Sequence, residues 1–195
     1  KFFVIYKPKI VHYYLPHSYL LLGFLSLIFR KSEYIMSRRS LNKYQKKYLF
    51  SRKIETFFHR KMKYIIANSK AVFHELVNLE GVDKKKCHII YNGVNLNFKK
   101  KKVDNGVKIV CLANLLPYKN HKMIILSLLK IPRKLKWSMH FIGSDKFGIK
   151  DTLKKMYENS HIKDRIFFYG QLKNPEKILA SSDIGVLTSD EEGFS

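Results

Sequence analysis

Lys119 sits between two apolar runs, Val107 to Ala113 before it and His121 to Leu129 after it. A lysine in the turn from a strand to a helix N-terminus is suited to holding an anion. The free amides and dipole of the helix already favour negative charge there, and the ammonium adds a mobile full charge. A diphosphate fits that description; an ordinary surface lysine is the competing reading. Two more apolar runs end in glycine, at Phe141-Ile142-Gly143-Ser144-Asp145 and at Phe168-Tyr169-Gly170-Gln171. Glycine there lets a ligand approach the backbone closely, or simply turns the chain. The last such segment, Leu187 to Ser195, carries Asp190, Glu191, Glu192 and Gly193. Those acids suit metal ligation, a hydrogen-bonding carboxylate or a solvated loop. Without His or Cys at ligand spacing, metal is the least favoured of the three.

Strands and helices alternate along the chain and would position these residues. Strands are expected at 10–14, 34–36, 64–67, 87–90, 107–113, 137–142, 165–169 and 184–187. Helices are expected at 20–29, 48–63, about 69–80, 121–129, 151–159 and 175–180. The 20–29 helix is apolar on most sides and so expected to be well buried, and Asn68-Ser69 reads as a helix cap. Ser37-Arg38-Arg39-Ser40 reads as a polar, basic loop. Between 97 and 106 the apolar periodicity stops and Lys99 to Lys102 form a charge run, which suits an exposed linker. The division expected is a domain at 1–98, a linker at 99–106 and a domain at 107–195. Such alternation implies parallel sheets covered on both faces, with ligands outside the carboxyl ends of the strands.

A hydrophobic fraction of 46% excludes a disordered tail. The net charge of +23 is carried mostly by lysine spread along the chain. A surface that basic should adhere to anionic membranes, although the lysine, Asn, Ile and Tyr content equally matches the codon bias of an AT-rich genome. Cys87 and Cys111 lie in apolar contexts without metal spacing, as buried thiols in a reducing cytosol would. The longest apolar run, Tyr19 to Phe29, falls short of the ~20 residues a membrane-spanning helix needs. Both ends read as cut within elements, so the sequence is expected to be a fragment.

Five segments, in order, resemble the GT-B glycosyltransferases, specifically the retaining family-4 group. They are Ile10-Val11-His12, Ile66-Ala67-Asn68-Ser69, Ile90-Tyr91-Asn92-Gly93-Val94-Asn95, Ala180-Ser181-Ser182-Asp183-Ile184 and Glu192-Gly193-Phe194. The resemblance implies an α/β fold of two Rossmann-like domains whose parallel sheets face a cleft, both incomplete here. It implies transfer of a sugar from a nucleotide-diphosphate donor to a glycan or lipid-linked acceptor, with retention of configuration and no bound metal or other cofactor. Lys119 would grip the donor diphosphate and stabilise the leaving group. Glu192, the first Glu of the family's Glu-x7-Glu motif, would lie close to the donor sugar, and Gly193 and Phe194 would offer it backbone amides. Asn114, Gly143 and Gly170 would complete the nucleotide side. His12 would face the acceptor, with Arg38 and Arg39 nearby.

The chain departs from the pattern in three places. Asn114 stands where the family usually has Arg. Arg38 and Arg39 stand where many members have His, either to bind an anionic acceptor or to sit in solvent. The second Glu of the motif would fall beyond Ser195, so this polypeptide alone is expected to be inactive. A nucleotide-sugar epimerase on the same fold is the nearest alternative, and a basic nucleic-acid-binding module the more distant one. Against the latter, the chain has no helix-turn-helix, zinc-finger or aromatic RNA-binding pattern. A cytoplasmic location, with peripheral contact at the inner face of the membrane, is the expected setting.

Overall fold

A computed structural model describes residues 1–14, 16–41, 49–93, 106–190 and 192–193. The expected linker lies outside the described residues except for Gly106, and so does Phe194. The chain divides into two compact units, Lys1–Val94 together with Glu192–Ser195, and Asn95–Glu191.

In the first unit β1 (Ile10–Tyr14), β2 (Glu33–Arg38), β3 (Tyr64–Ala67) and β4 (Cys87–Ile89) form a sheet in that order. Every pairing is parallel. Its helices are α1 (Phe2–Tyr6), α2 (Pro16–Leu22), α3 (Leu25–Ile28), α4 (Leu49–His59) and α5 (Lys70–His74). Ser69 caps α5, its hydroxyl accepting from Val72 N at 3.1 Å. A wider π-helical turn, Glu75–Leu79, continues α5 and delivers Glu80 to the buried side.

Two sequence expectations change here. The helix expected at 20–29 is broken at Gly23, where a Cβ would lie 2.7 Å from both the Phe58 ring and the Tyr19 carbonyl. Only Tyr19, Gly23 and Ser26 turn inward, so Leu21, Phe24 and Ile28 are exposed rather than buried. The basic loop expected at 37–40 is half strand. β2 runs through Arg38 because alternation continues: Tyr34, Met36 and Arg38 share the buried face.

In the second unit β5 (Val107–Leu112), β6 (Trp137–Ile142), β7 (Ile166–Phe168) and β8 (Ile184–Gly185) form a parallel sheet in the order β7-β6-β5-β8. Its helices are α6 (His121–Leu128), α7 (Ile149–Lys155) and α8 (Glu176–Ala180). The core packs Cys111, Ile125, Met139, Phe141, Leu153 and Ile162 together. The chain winds outward from β5 to β7, then returns to the other side of β5 as β8. The strand order thus reverses between β5 and β8, and in open parallel sheets ligands bind beyond the carboxyl ends of the strands at such a reversal. Lys119 and Asp190 lie in the loops that follow those two strand ends.

Candidate active site

At the end of β5 the chain passes through Ala113 and Asn114 into a 3-10 turn, Pro117–Lys119. Asn120 follows with φ 48° and ψ 44°, a left-handed conformation that reverses the chain and starts α6. Lys119 extends beside the Tyr118 ring, its Nζ 5.2 Å from the ring centroid. His121 opens α6 almost wholly buried, and desolvation holds its pKa below the ordinary histidine value. Thr188 Oγ1 donates to the carbonyls of Asn120 at 2.9 Å and Lys119 at 3.3 Å. Asp190 N donates to the Tyr118 carbonyl at 2.9 Å, and Asn120 Nδ2 donates to Asp190 Oδ1 at 3.1 Å.

The other residues expected on the nucleotide side take up mostly backbone tasks. Asn114 Oδ1 accepts from Ser144 N at 2.9 Å, tying the β5 and β6 loops together where the family's Arg would carry charge. Gly143, at φ 155°, leaves no room for a side chain, since a Cβ would sit 2.1 Å from the Ala113 carbonyl oxygen. Close packing of two loops thus accounts for this glycine by itself. Gly143 N donates to the Gly170 carbonyl at 2.9 Å, and Gly170 takes φ 66° with open space around it. Asp145 closes the same loop by accepting from Ile149 N and Lys150 N, at 2.9 Å each.

The first unit holds a pocket of about 410 Å³ at the carboxyl ends of its strands, lined among others by His12, Ser37, Arg38, Arg39, Asn68 and Asn92. His12 Nε2 lies 2.8 Å from Ser37 Oγ, with Tyr14 against its ring. Desolvation lowers the His12 pKa, favouring a neutral imidazole at physiological pH. Arg39 Nη2 donates to Asn92 Oδ1 at 3.4 Å. Arg38 does not sit in solvent. It is only 3% exposed, with Nη1 donating to Glu80 Oε1 at 3.1 Å and Nη2 to Glu80 Oε2 at 3.1 Å and Glu55 Oε2 at 2.9 Å. His59 Nε2 lies 2.7 Å from the same Glu80 Oε2, and its Nδ1 lies 3.0 Å from the Tyr19 hydroxyl.

Glu55, His59 and Glu80 are close enough together to resemble a metal site. The Arg38 guanidinium already occupies the space a cation would fill, satisfying both carboxylates. Sequence reading missed this cluster, because Glu55 and His59 look like surface residues of a charged helix. Their spacing with Phe58 and Met62, all buried, was the available signal.

Glu192 and Gly193 belong to the first unit. There the Ser69 hydroxyl donates to the Gly193 carbonyl, and a Cβ on Gly193 would lie 2.7 Å from the Arg39 carbonyl oxygen. Both cysteines are buried and free, and burial pushes each thiol up to about 11. Among the described residues no helix is long and apolar enough to cross a membrane.

Two parallel α/β units in one chain, the second with a lysine-bearing turn at the switch point of its sheet, are the parts of a GT-B type of architecture. Family models agree: one described as glycosyl transferases group 1 matches residues 95–195, and one described as glycosyltransferase family 4 matches residues 2–98. The chain belongs to the glycosyl transferases group 1 family. It is 27% identical over 136 residues to an N-acetylgalactosamine-N,N'-diacetylbacillosaminyl-diphospho-undecaprenol 4-alpha-N-acetylgalactosaminyltransferase of Campylobacter jejuni. That match covers 67% of this chain and 36% of the relative. Among solved structures it is similar to Anabaena HepE in complex with UDP, with TM-score 0.78 and 17% identity, covering 95% of this chain and 54% of that one. The apo form of the lipopolysaccharide outer core galactosyltransferase WaaB gives TM-score 0.73 and 18% identity, covering 99% of this chain and 53% of that one. The chain thus spans about a third of the curated relative's length and about half of each solved structure's.

Proposed function

We propose that this chain is part of an enzyme that moves a sugar from a nucleotide-diphosphate donor to a glycan or lipid-linked acceptor, retaining configuration. The observation that carries the reading is the Lys119 turn, set at the β5/β8 switch point against the N-terminus of α6. An ammonium and a helix end there can take a diphosphate without a metal and stabilise the charge that develops as the nucleotide leaves. Glu192 would approach the donor sugar, with Gly193 and Phe194 giving backbone contacts. Asn114, Gly143 and Gly170 would shape the nucleotide side through backbone placement.

The pocket of the first unit is the acceptor side of this reading. His12, held neutral and hydrogen-bonded to Ser37, would face the acceptor hydroxyl. Arg39 is the arginine better placed to meet an acceptor phosphate, since Arg38 is committed to two carboxylates. A lipid-linked acceptor is supported by the Campylobacter relative, whose name specifies an undecaprenol diphosphate substrate. The charge of +23 suits peripheral work at an anionic membrane from the cytoplasmic side.

The test is a thermal-shift panel of nucleotide sugars on the intact enzyme, followed by labelled-sugar transfer with the donor that stabilises it. Lys119→Ala and Glu192→Ala are both expected to abolish transfer, and Lys119→Ala also to remove most of the donor-induced shift. A full shift and full transfer in Lys119→Ala would overturn the proposal. Epimer formation without transfer would replace it with the epimerase reading.

A further inference from the structure

The turn bearing Lys119 is held partly by its own backbone, with Lys119 N donating to the Leu116 carbonyl at 3.0 Å and Asn120 N to the Pro117 carbonyl at 3.1 Å, and partly from outside. Asn120 adopts a left-handed conformation that glycine takes freely and that asparagine takes when hydrogen bonds of its side chain support it. That support comes from the loop after β8, which sequence places 70 residues away but the pairing of β8 with β5 brings alongside. Asn120 Nδ2 donates to Asp190 Oδ1, Asp190 N donates to the Tyr118 carbonyl, and Thr188 Oγ1 donates to the two carbonyls that flank the turn. A carboxylate can only accept, so it fixes which end of the Asn120 amide faces it. Asparagine at the start of a helix ordinarily turns its oxygen onto the first amides. Here the side chain caps no α6 amide, and Asp190 holds it elsewhere.

We infer that Asp190 is a positioning residue for Lys119. Through the Asn120 side chain it fixes the left-handed turn that aims the lysine, and it keeps that side chain off the α6 amides that would receive the diphosphate. The inference rests on the proposed role of Lys119. A carboxylate beside a diphosphate repels it, so an acid at this place works against binding unless it does so through what it holds. On this inference Asp190 acts through Asn120, and its effect requires no contact with the donor.

The test measures affinity of the intact enzyme for UDP, GDP and ADP by calorimetry. Asp190→Ala should weaken the tightest of these about fivefold, the effect of losing one charge-assisted hydrogen bond at an exposed site. Asp190→Asn should bind at least as tightly as wild type, because an amide oxygen accepts the same bond and the repulsion is gone. Asn120→Gly should also bind like wild type, and in that background Asp190→Ala should change affinity by less than about twofold, since glycine holds the turn unaided. Wild-type affinity in Asp190→Ala would overturn the inference. An equal loss in the glycine background would overturn it too, because Asp190 would then be acting by another route. Lys119→Ala separates the two levels of argument: unchanged affinity in that variant, or no binding of any of the three nucleotides by wild type, defeats the reading of Lys119 itself.

Discussion

Arg38→Met should loosen the first unit severely and leave the second intact. The guanidinium makes three contacts of 2.9–3.1 Å with Glu55 and Glu80 in a site where all three side chains are at most 3% exposed. At an effective dielectric near 20, each charge pair is worth on the order of 4–5 kcal/mol, and burying the ions costs several kcal/mol apiece. The intact cluster therefore nearly breaks even. Removing the cation alone takes the guanidinium from two carboxylates in a dry interior, leaving Glu80 its contact with His59, and such losses cost about 3–5 kcal/mol. Amide exchange followed by mass spectrometry reads this locally. Peptides covering β2, β3 and α4 should exchange faster by roughly two to three and a half orders of magnitude, at 1.4 kcal/mol per tenfold. Peptides covering β5 and β6 should change little. A companion variant with Arg38→Met, Glu55→Gln and Glu80→Gln should recover at least half of the lost protection, because no charge is left unpaired. Unchanged exchange in β2 would refute the reasoning. A triple variant as labile as Arg38→Met alone would show that packing, not stranded charge, sets the cost.

Two further outcomes follow from the second unit. His140 is buried on β6, its Nε2 2.8 Å from Ser138 Oγ and its Nδ1 2.9 Å from the Tyr169 hydroxyl, with Lys108 nearby on β5. Burial first and Lys108 second lower its pKa from 6.5 to about 4, so the folded state binds this proton less readily than the unfolded chain. The stability it protects is complete above pH 6.5 and is lost as pH falls toward about 4. After discounting for solvent screening the loss is about 2 kcal/mol. Urea melts read by Trp137 fluorescence should show that acid-dependent loss in wild type but not in His140→Gln; parallel pH slopes would count against it. Gly143→Ala should destabilise the same unit by about 2–3 kcal/mol, since the added methyl meets the Ala113 backbone and not a movable side chain. A melt within error of wild type would show that the β5 and β6 loops separate easily.

The alternation of apolar segments, with a lysine and glycines at their ends, was enough to place eight parallel strands near their observed positions. Strands 64–67 and 137–142 have the bounds expected of them, because β-branched and aromatic runs flanked by turn residues are local signals. Family membership was legible too, since the motif order survives in the chain itself. Local pattern failed where a distant residue decides the outcome. Gly23 breaks a helix because Phe58 crosses it, and Arg38 extends a strand because Glu55 and Glu80 wait beneath it. Asn120 holds a left-handed turn because Asp190 lies across from it. Hydrophobic period and turn chemistry are properties of neighbours in sequence, so sequence alone determines them. Charge compensation, close backbone approach and the aim of a lysine depend on groups tens of residues apart. Only the folded sheets bring those groups within hydrogen-bonding distance.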